Sequence, residues 1–237
     1  MTSKIIFWCN EPSNFGDVLT KNLLSHLNVT NFTHTNNSKK ANVFILGSVA
    51  RLATMASLVL GSGVIRKNEE SNPLAKWKFV RGPLTRKNVL KYGGICPDIY
   101  CDPALLLPTF CEESEKEYEI GIVPHYQHYD VMKQMWSKYK VIDIVNDNPL
   151  HVAKEITKCK KIISSSLHGI ICAHAYGIPA ARINGHNKLW GDGIKFEDYY
   201  MSVKANSEIS TIERPKFTDA VLPNIQQIEN ILKDNLK

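Results

Sequence analysis

Short apolar runs recur along this chain and alternate with stretches whose apolar residues return at helical spacing. Residues 4–9 form a continuous apolar run, the mark of a buried strand. After the turn Asn14-Phe15-Gly16-Asp17, the residues Val18, Leu19, Leu23, Leu24 and Leu27 keep helical spacing, with Asp17 as the expected N-cap. Residues 28–42 are rich in Asn, Thr and Ser and read as a loop with room for one short strand. Further strands are predicted at 42–46, 58–60 and 77–80, with a short helix over 49–57. A longer helix is predicted over 83–92, with Pro83 in its first turn and Gly93 as its stop.

The same alternation restarts after the charged run 112–117, which reads as a solvated linker. Strands are predicted at 118–123, 141–144 and 180–183, and helices over 131–138, 148–158 and 223–236. The stretch 160–179 organises this half. It reads as a buried strand, a serine-rich turn, and a helix that stops at Gly177 with Pro179 just beyond. Strand and helix in alternation imply an α/β chain with mainly parallel sheets. The expected architecture is two Rossmann-like blocks, 1–111 and 118–237, facing each other across a cleft.

Composition narrows the function. A chain of 237 residues can hold two domains, and 43% hydrophobic with 22% charged residues is ordinary for a globular protein. The net charge of +6 suits an anionic ligand. There is no RNP-type motif and no long basic run, so no nucleic-acid partner is expected. No apolar run approaches the roughly 20 residues of a membrane span, so no transmembrane segment is expected. The apolar run at the N-terminus is too short for a signal-peptide core. Six cysteines are scattered without a Cys-x-x-Cys pair, which argues against zinc and against a disulfide framework. A reducing, cytoplasmic setting follows. His125-x-x-His128 lacks a third ligand with supporting spacing, so no metal is expected.

Candidate chemistry collects where predicted strands end. Gly47-Ser48 and Gly61-Ser62-Gly63 are small residues at strand ends, where open α/β sheets leave room for ligands. Arg81 follows a strand and precedes a helix, and its guanidinium can fork onto a phosphate or carboxylate. Its alternative role is a salt bridge to Asp98 or Asp102. His125 ends the strand 118–123. Ser165 or Ser166 is placed to cap the next helix, and His168 lies in its first turn, where N–H groups and the helix dipole suit an anion. The alternative for His168 is a cap or surface residue.

Taken together, these residues resemble the polysaccharide pyruvyl transferase family. The resemblance rests on Asn14-Phe15-Gly16-Asp17, Leu60-Gly61-Ser62-Gly63, Val80-Arg81-Gly82-Pro83-Leu84-Thr85 and Asp102-Pro103-Ala104. It continues in Ile122-Val123-Pro124-His125-Tyr126, Ser165-Ser166-Leu167-His168-Gly169 and Lys195-Phe196-x-Asp198-Tyr199. It implies a GT-B-like fold and transfer of a pyruvyl group from phosphoenolpyruvate to a sugar or glycan acceptor, giving a cyclic ketal. Phosphoenolpyruvate is then a co-substrate, and no cofactor or metal is required. The resemblance implies His168 and Arg81 as catalytic residues. It implies Asn14, Gly16, Asp17, Gly61, Ser62, Gly63, His125, Ser165, Ser166 and Lys195 as substrate-binding residues. Two departures stand out: Ser166 occupies a position where many members carry Arg, and the chain is short for the family. The aromatic segment 190–200 is the expected lid. Other readings are a GT-B glycosyltransferase using a nucleotide sugar and a catalytically inactive carbohydrate-binding relative. Assembly into a homo-oligomer is left open.

Overall fold

A computed structural model describes residues 4–185 and 191–237. The first half contains β1 (Lys4–Phe7), α1 (Phe15–His26), β2 (Phe32–Thr35), β3 (Val43–Phe44), β4 (Leu58–Leu60), β5 (Lys76–Phe79) and α2 (Pro83–Lys91). A 3-10 segment, Pro103–Thr109, follows. The second half contains β6 (Tyr118–Val123), α3 (Tyr129–Met135), β7 (Lys140–Val141), α4 (Pro149–Thr157), β8 (Cys159–Ser164) and α5 (Leu167–Ala175). It ends with β9 (Ala180–Ile183), α6 (Ile194–Ser202), β10 (Ile209–Ser210) and α7 (Ile225–Leu236).

Each half forms a five-stranded sheet, ordered β2-β1-β3-β4-β5 and β10-β9-β8-β6-β7. Every pairing between these strands is parallel. The two orders are the same topology. In each half the second strand lies on one side of the first and the remaining three follow on the other. Both are Rossmann-like, and the halves face each other across a cleft, the GT-B-like arrangement expected from the sequence. Parallel strands covered on both faces explain the continuous apolar runs.

One hydrophobic core joins the halves. It runs from Ile6 and Leu19 through Leu105, Leu106 and Leu107 to Ile170, Ile171, Leu232 and Leu236. The three leucines are fully or almost fully buried, and such burial contributes roughly 1.5–3 kcal/mol per side chain. Helix α7 belongs to the second half by sequence but packs back on the first. Glu229 lies 3.2 Å from His26 Nε2, and Lys4 Nζ donates to the Lys237 carbonyl at 2.7 Å.

Three expectations are corrected. The helix over 49–57 shrinks to one 3-10 turn, Ala50–Leu52. The strand over 141–144 stops at Val141: the Ile142 N–H still donates to the Ile122 carbonyl of β6 at 2.9 Å, but the residues beyond it bond elsewhere. The Val145 N–H donates to the Asp143 side chain at 2.9 Å, and the Ile144 carbonyl accepts from Phe15 N–H of the first half at 2.8 Å. Most of the expected lid is a packed helix: in α6, Ile194, Phe196, Asp198, Tyr199 and Tyr200 are buried. Trp190, the remaining aromatic of that expectation, lies outside the described residues.

Candidate active site

In both sheets the strand order reverses beside the first strand, and the crevice outside those strand ends is where open α/β sheets bind ligands. Here the two crevices open on each other. They enclose a cavity of about 340 Å³. Phe7 and Cys9 reach it from the end of β1, and Gly47 and Ser48 from the end of β3. His125 comes from the end of β6, and Leu167 and His168 from the start of α5 just past β8. Asn14 and Asp17 at the start of α1 and Lys195 on α6 add polar and charged groups to the wall.

His168 is seated by a glycine. A Cβ on Gly16 would lie 1.8 Å from His168 Nδ1 and 2.2 Å from Cγ, so any larger residue at 16 would push the imidazole out of place. On the ring's other side, Nε2 lies 3.8 Å from Oδ2 of Asp102, a fully buried carboxylate. Asp102 was expected, if anything, as a partner of Arg81. It instead belongs under His168.

Asp17 is not the N-cap of α1. Asn14 holds that position, and its side-chain amide donates to Asp17 Oδ2 at 2.9 Å. This leaves the Asp17 carboxylate turned to the cavity, with Oδ1 within 3.2 Å of where a Cβ on Gly47 would stand. Gly47 has φ +92°, so a side chain there would be strained as well as crowded. Burial pushes the Asp17 carboxyl above its usual range, while His168 and the Asn14 hydrogen bond pull against that rise. Burial pushes Lys195 down to about 8, with the Arg81 charge adding to the effect and Asp17 opposing it. Burial also holds His125 down at about 4, helped by Lys195 and His128. Near neutral pH the cavity therefore presents a neutral His125 and an ammonium close to its own titration point.

Several expected site residues do not line the cavity. Arg81 is fully buried behind it. Its Nε donates to Asp198 Oδ2 at 3.1 Å, one terminal nitrogen to Ser48 Oγ at 2.6 Å and the other to the Val64 carbonyl at 2.6 Å. The expected fork onto a ligand is thus occupied by protein, and the acid is Asp198 rather than Asp98 or Asp102. Asp198 also accepts from Thr85 N–H at 2.9 Å and Thr85 Oγ at 2.7 Å, which caps α2 from the other half of the molecule. Gly82 lets α6 come this close, since a Cβ there would lie 2.0 Å from the Asp198 carbonyl oxygen.

Gly61, Ser62 and Gly63 serve packing too. A Cβ on Gly61 would strike Pro103 at 2.5 Å, and one on Gly63 would strike the Arg81 guanidinium at 2.3 Å. The Ser62 hydroxyl donates to the Gly47 carbonyl at 3.0 Å and so shapes the loop after β3. Ser165 Oγ accepts from His125 N–H at 2.9 Å and fixes where that histidine stands. Ser166 takes the N-cap position of α5 without a side-chain cap bond. Sequence reasoning missed Arg51, which reaches the cavity wall from the turn after Gly47-Ser48 and pairs with Glu69 at 3.6 Å. No periodic or motif signal marks it.

Among the described residues, no group of three or more His, Cys, Asp or Glu could hold a metal ion. His128 is buried against Gly185, where a Cβ would lie 2.0 Å from its Nδ1. No helix among the described residues is long and apolar enough to cross a membrane.

Comparison with known proteins agrees with the motifs. The family model for polysaccharide pyruvyl transferase matches residues 3–187. Uncharacterized protein L143 of Acanthamoeba polyphaga mimivirus is 35% identical over 165 residues, covering 65% of this chain and 57% of that protein. Succinoglycan biosynthesis protein ExoV of Rhizobium meliloti is 27% identical over 212 residues, covering 80% of this chain and 63% of that protein. The chain thus spans 57% to 63% of the length of these curated relatives. Among solved structures, the UDP-GlcNAc 2-epimerase of Methanocaldococcus jannaschii, in complex with UDP-GlcNAc and UDP, aligns over 98% of both chains. Its TM-score is 0.49 and its identity 10%.

Proposed function

The chain belongs to the polysaccharide pyruvyl transferase family, and we propose that it transfers the enolpyruvyl group of phosphoenolpyruvate to a sugar of a glycan, closing a pyruvate ketal. The observation that carries this reading is the convergence of His168, Lys195 and Asp17 on one cavity of about 340 Å³. That volume lies at the small end of ligand pockets and suits a compact dianion beside a sugar.

The chemistry divides among these groups. The phosphate and carboxylate of the donor need cationic partners, and Lys195 supplies one inside the cavity, with Arg51 at its wall. C3 of the enol must gain a proton before a hydroxyl can add at C2. His168 gives that proton, as the imidazole that lines the cavity beside Asp17 and Lys195. The first sugar hydroxyl then bonds to C2 and gives up its proton, which Asp17 or the neutralised His168 accepts. The C2–O bond to phosphate breaks, phosphate leaves, and a second hydroxyl of the same sugar closes the ketal. Of the two hydroxyl protons, one balances the proton placed on C3 and the other leaves with phosphate. Arg81 acts from behind the wall as a positioning residue, holding Ser48 and the helix that carries Lys195. A cytoplasmic setting goes with this reading, since all six cysteines are free thiols.

The test is product analysis. The protein is incubated in deuterated water with phosphoenolpyruvate and a panel of glycans, and the products are examined by NMR. The expected product is a ketal whose methyl group carries one deuteron from solvent. Donor and acceptors recovered without any ketal would overturn the proposal.

A further inference from the structure

Two buried polar atoms face each other beneath the cavity. His168 Nε2 and Asp102 Oδ2 are both out of contact with solvent, and neither has a hydrogen-bond partner. They lie 3.8 Å apart. The other Asp102 oxygen is committed, accepting from Ala104 N–H at 3.0 Å, which turns Oδ2 toward the imidazole. A carboxylate only accepts hydrogen bonds. Nε2 can therefore satisfy this neighbour only by carrying a proton.

The surroundings leave Asp102 little freedom. It opens the 3-10 segment Pro103–Thr109, whose leucines sit in the core. Pro103 in turn presses on Gly61, whose lack of a Cβ makes room for it. From the opposite side Gly16 holds the ring. With Nε2 turned inward, Nδ1 is the ring nitrogen left for the cavity. Of the nearby titratable groups, Asp17 on α1 interacts with His168, Lys195 and Asp102, while Asp102 also faces two buried neutral groups, the Tyr199 phenol on α6 and the Cys101 thiol.

We propose that Asp102 is a positioning residue that holds His168 as the Nε2–H tautomer, so that Nδ1 takes and gives the catalytic proton. This rests on His168 being the proton carrier of the proposed reaction. When Nδ1 gains a proton the ring becomes a cation, and the bond from Nε2–H to the carboxylate becomes charge-assisted and shortens. Catalytic hydrogen bonds are often long in the unliganded protein and tighten only with substrate bound.

The test is ¹⁵N NMR on the full chain with labelled histidine. The signal of His168 among the eight histidines is assigned by its loss in His168→Asn. In the neutral ring we expect a protonated Nε2 and a bare Nδ1. Asp102→Asn keeps an oxygen for Ala104 N–H but offers an amide donor to Nε2. It should move the proton to Nδ1 and lower turnover roughly 10²–10⁴-fold, the reach of one acid/base group. It should also leave KM for phosphoenolpyruvate within a few-fold and shift the acid limb of the pH profile. An Nδ1–H tautomer in the unsubstituted protein would overturn the dyad without any variant having to fold, as would an unchanged tautomer in Asp102→Asn. The tautomer is read without substrate, so failure of the phosphoenolpyruvate reading leaves it standing, and failure of the dyad leaves the ketal assay standing.

Discussion

Two regions of this molecule are built from the same parts and are satisfied in opposite ways. The tie behind the cavity contains a glycine in close contact (Gly82), a base (Arg81) and an acid (Asp198), set at a strand end and a helix start. The cavity and the layer directly beneath it contain a glycine in close contact (Gly16), bases (His168 and Lys195) and acids (Asp17 and the buried Asp102). In the tie, each Arg81 nitrogen and both Asp198 oxygens have protein partners, and both side chains are fully buried. In the cavity, polar atoms remain unpartnered or turned to open space. Residue type and motif position do not separate a cluster closed on itself from one left open to a ligand. Hydrogen-bond satisfaction does.

The largest expected effect follows from breaking the tie. Arg81→Met leaves the Asp198 carboxylate buried without its cation, and losing one partner of a buried pair typically costs about 3–5 kcal/mol. Urea unfolding should report a loss of this size. A variant that unfolds like the parent would show that Asp198 finds another partner and that the tie is dispensable.

A pair of glycine substitutions sharpens the comparison. Gly82→Ala drives a Cβ into the backbone of α6, and overpacking of this kind costs roughly 1–3 kcal/mol of stability. Gly16→Ala drives a Cβ into the His168 ring, which can move into the cavity. Its expected signature is the reverse: melting close to the parent, and turnover down about 10²-fold, the scale of a 1 Å misplacement. If both variants lost stability and neither lost turnover selectively, the division between the regions would fail.

The smallest effect is a pH dependence centred on Lys195. Its folded value of about 8 lies below its ordinary 10.5. Between those values the unfolded chain binds the extra proton, so this group makes stability rise with pH across that window. Lys195→Met removes the buried charge. It should therefore be more stable than the parent near neutral pH, with the difference shrinking as pH climbs toward 10.5. Donor binding to the parent should weaken as pH rises through about 8, where the ammonium loses its proton. Calorimetric titration across that range checks the sign, and binding that strengthened with pH would remove Lys195 from the anion site.

Much of the fold was legible because its strands are buried on both faces and punctuated by glycine and proline. The elements 58–60, 118–123 and 180–183 were marked by apolar runs with turn residues after them, and all three are interior strands of their sheets. The stretch 194–200 was read as a lid because its polar and aromatic residues hide the helical stripe of Ile194, Phe196, Tyr199 and Tyr200. Only packing against the first half shows which face is inside. Strand β10, two residues long, carries too little pattern to be seen at all. In the site, His168, Asp17 and His125 line the cavity from the strand ends and helix starts where the sequence puts them, whereas Lys195, singled out only through the resemblance, lines it from a helix the sequence did not show. Arg81 looked identical by that criterion. Its true partner is 117 positions away, and no local pattern distinguishes a guanidinium that awaits a ligand from one already bonded to an acid.

The most direct test of the account is phosphate release from phosphoenolpyruvate in the presence of a glycan acceptor, compared between the parent protein and His168→Asn. Asparagine keeps the polarity and approximate size of the ring but cannot carry a titrating proton. The prediction is acceptor-dependent phosphate release by the parent and a roughly 10²–10⁴-fold slower rate in the variant, with unchanged melting. Phosphate release by His168→Asn at the parent's rate would contradict it.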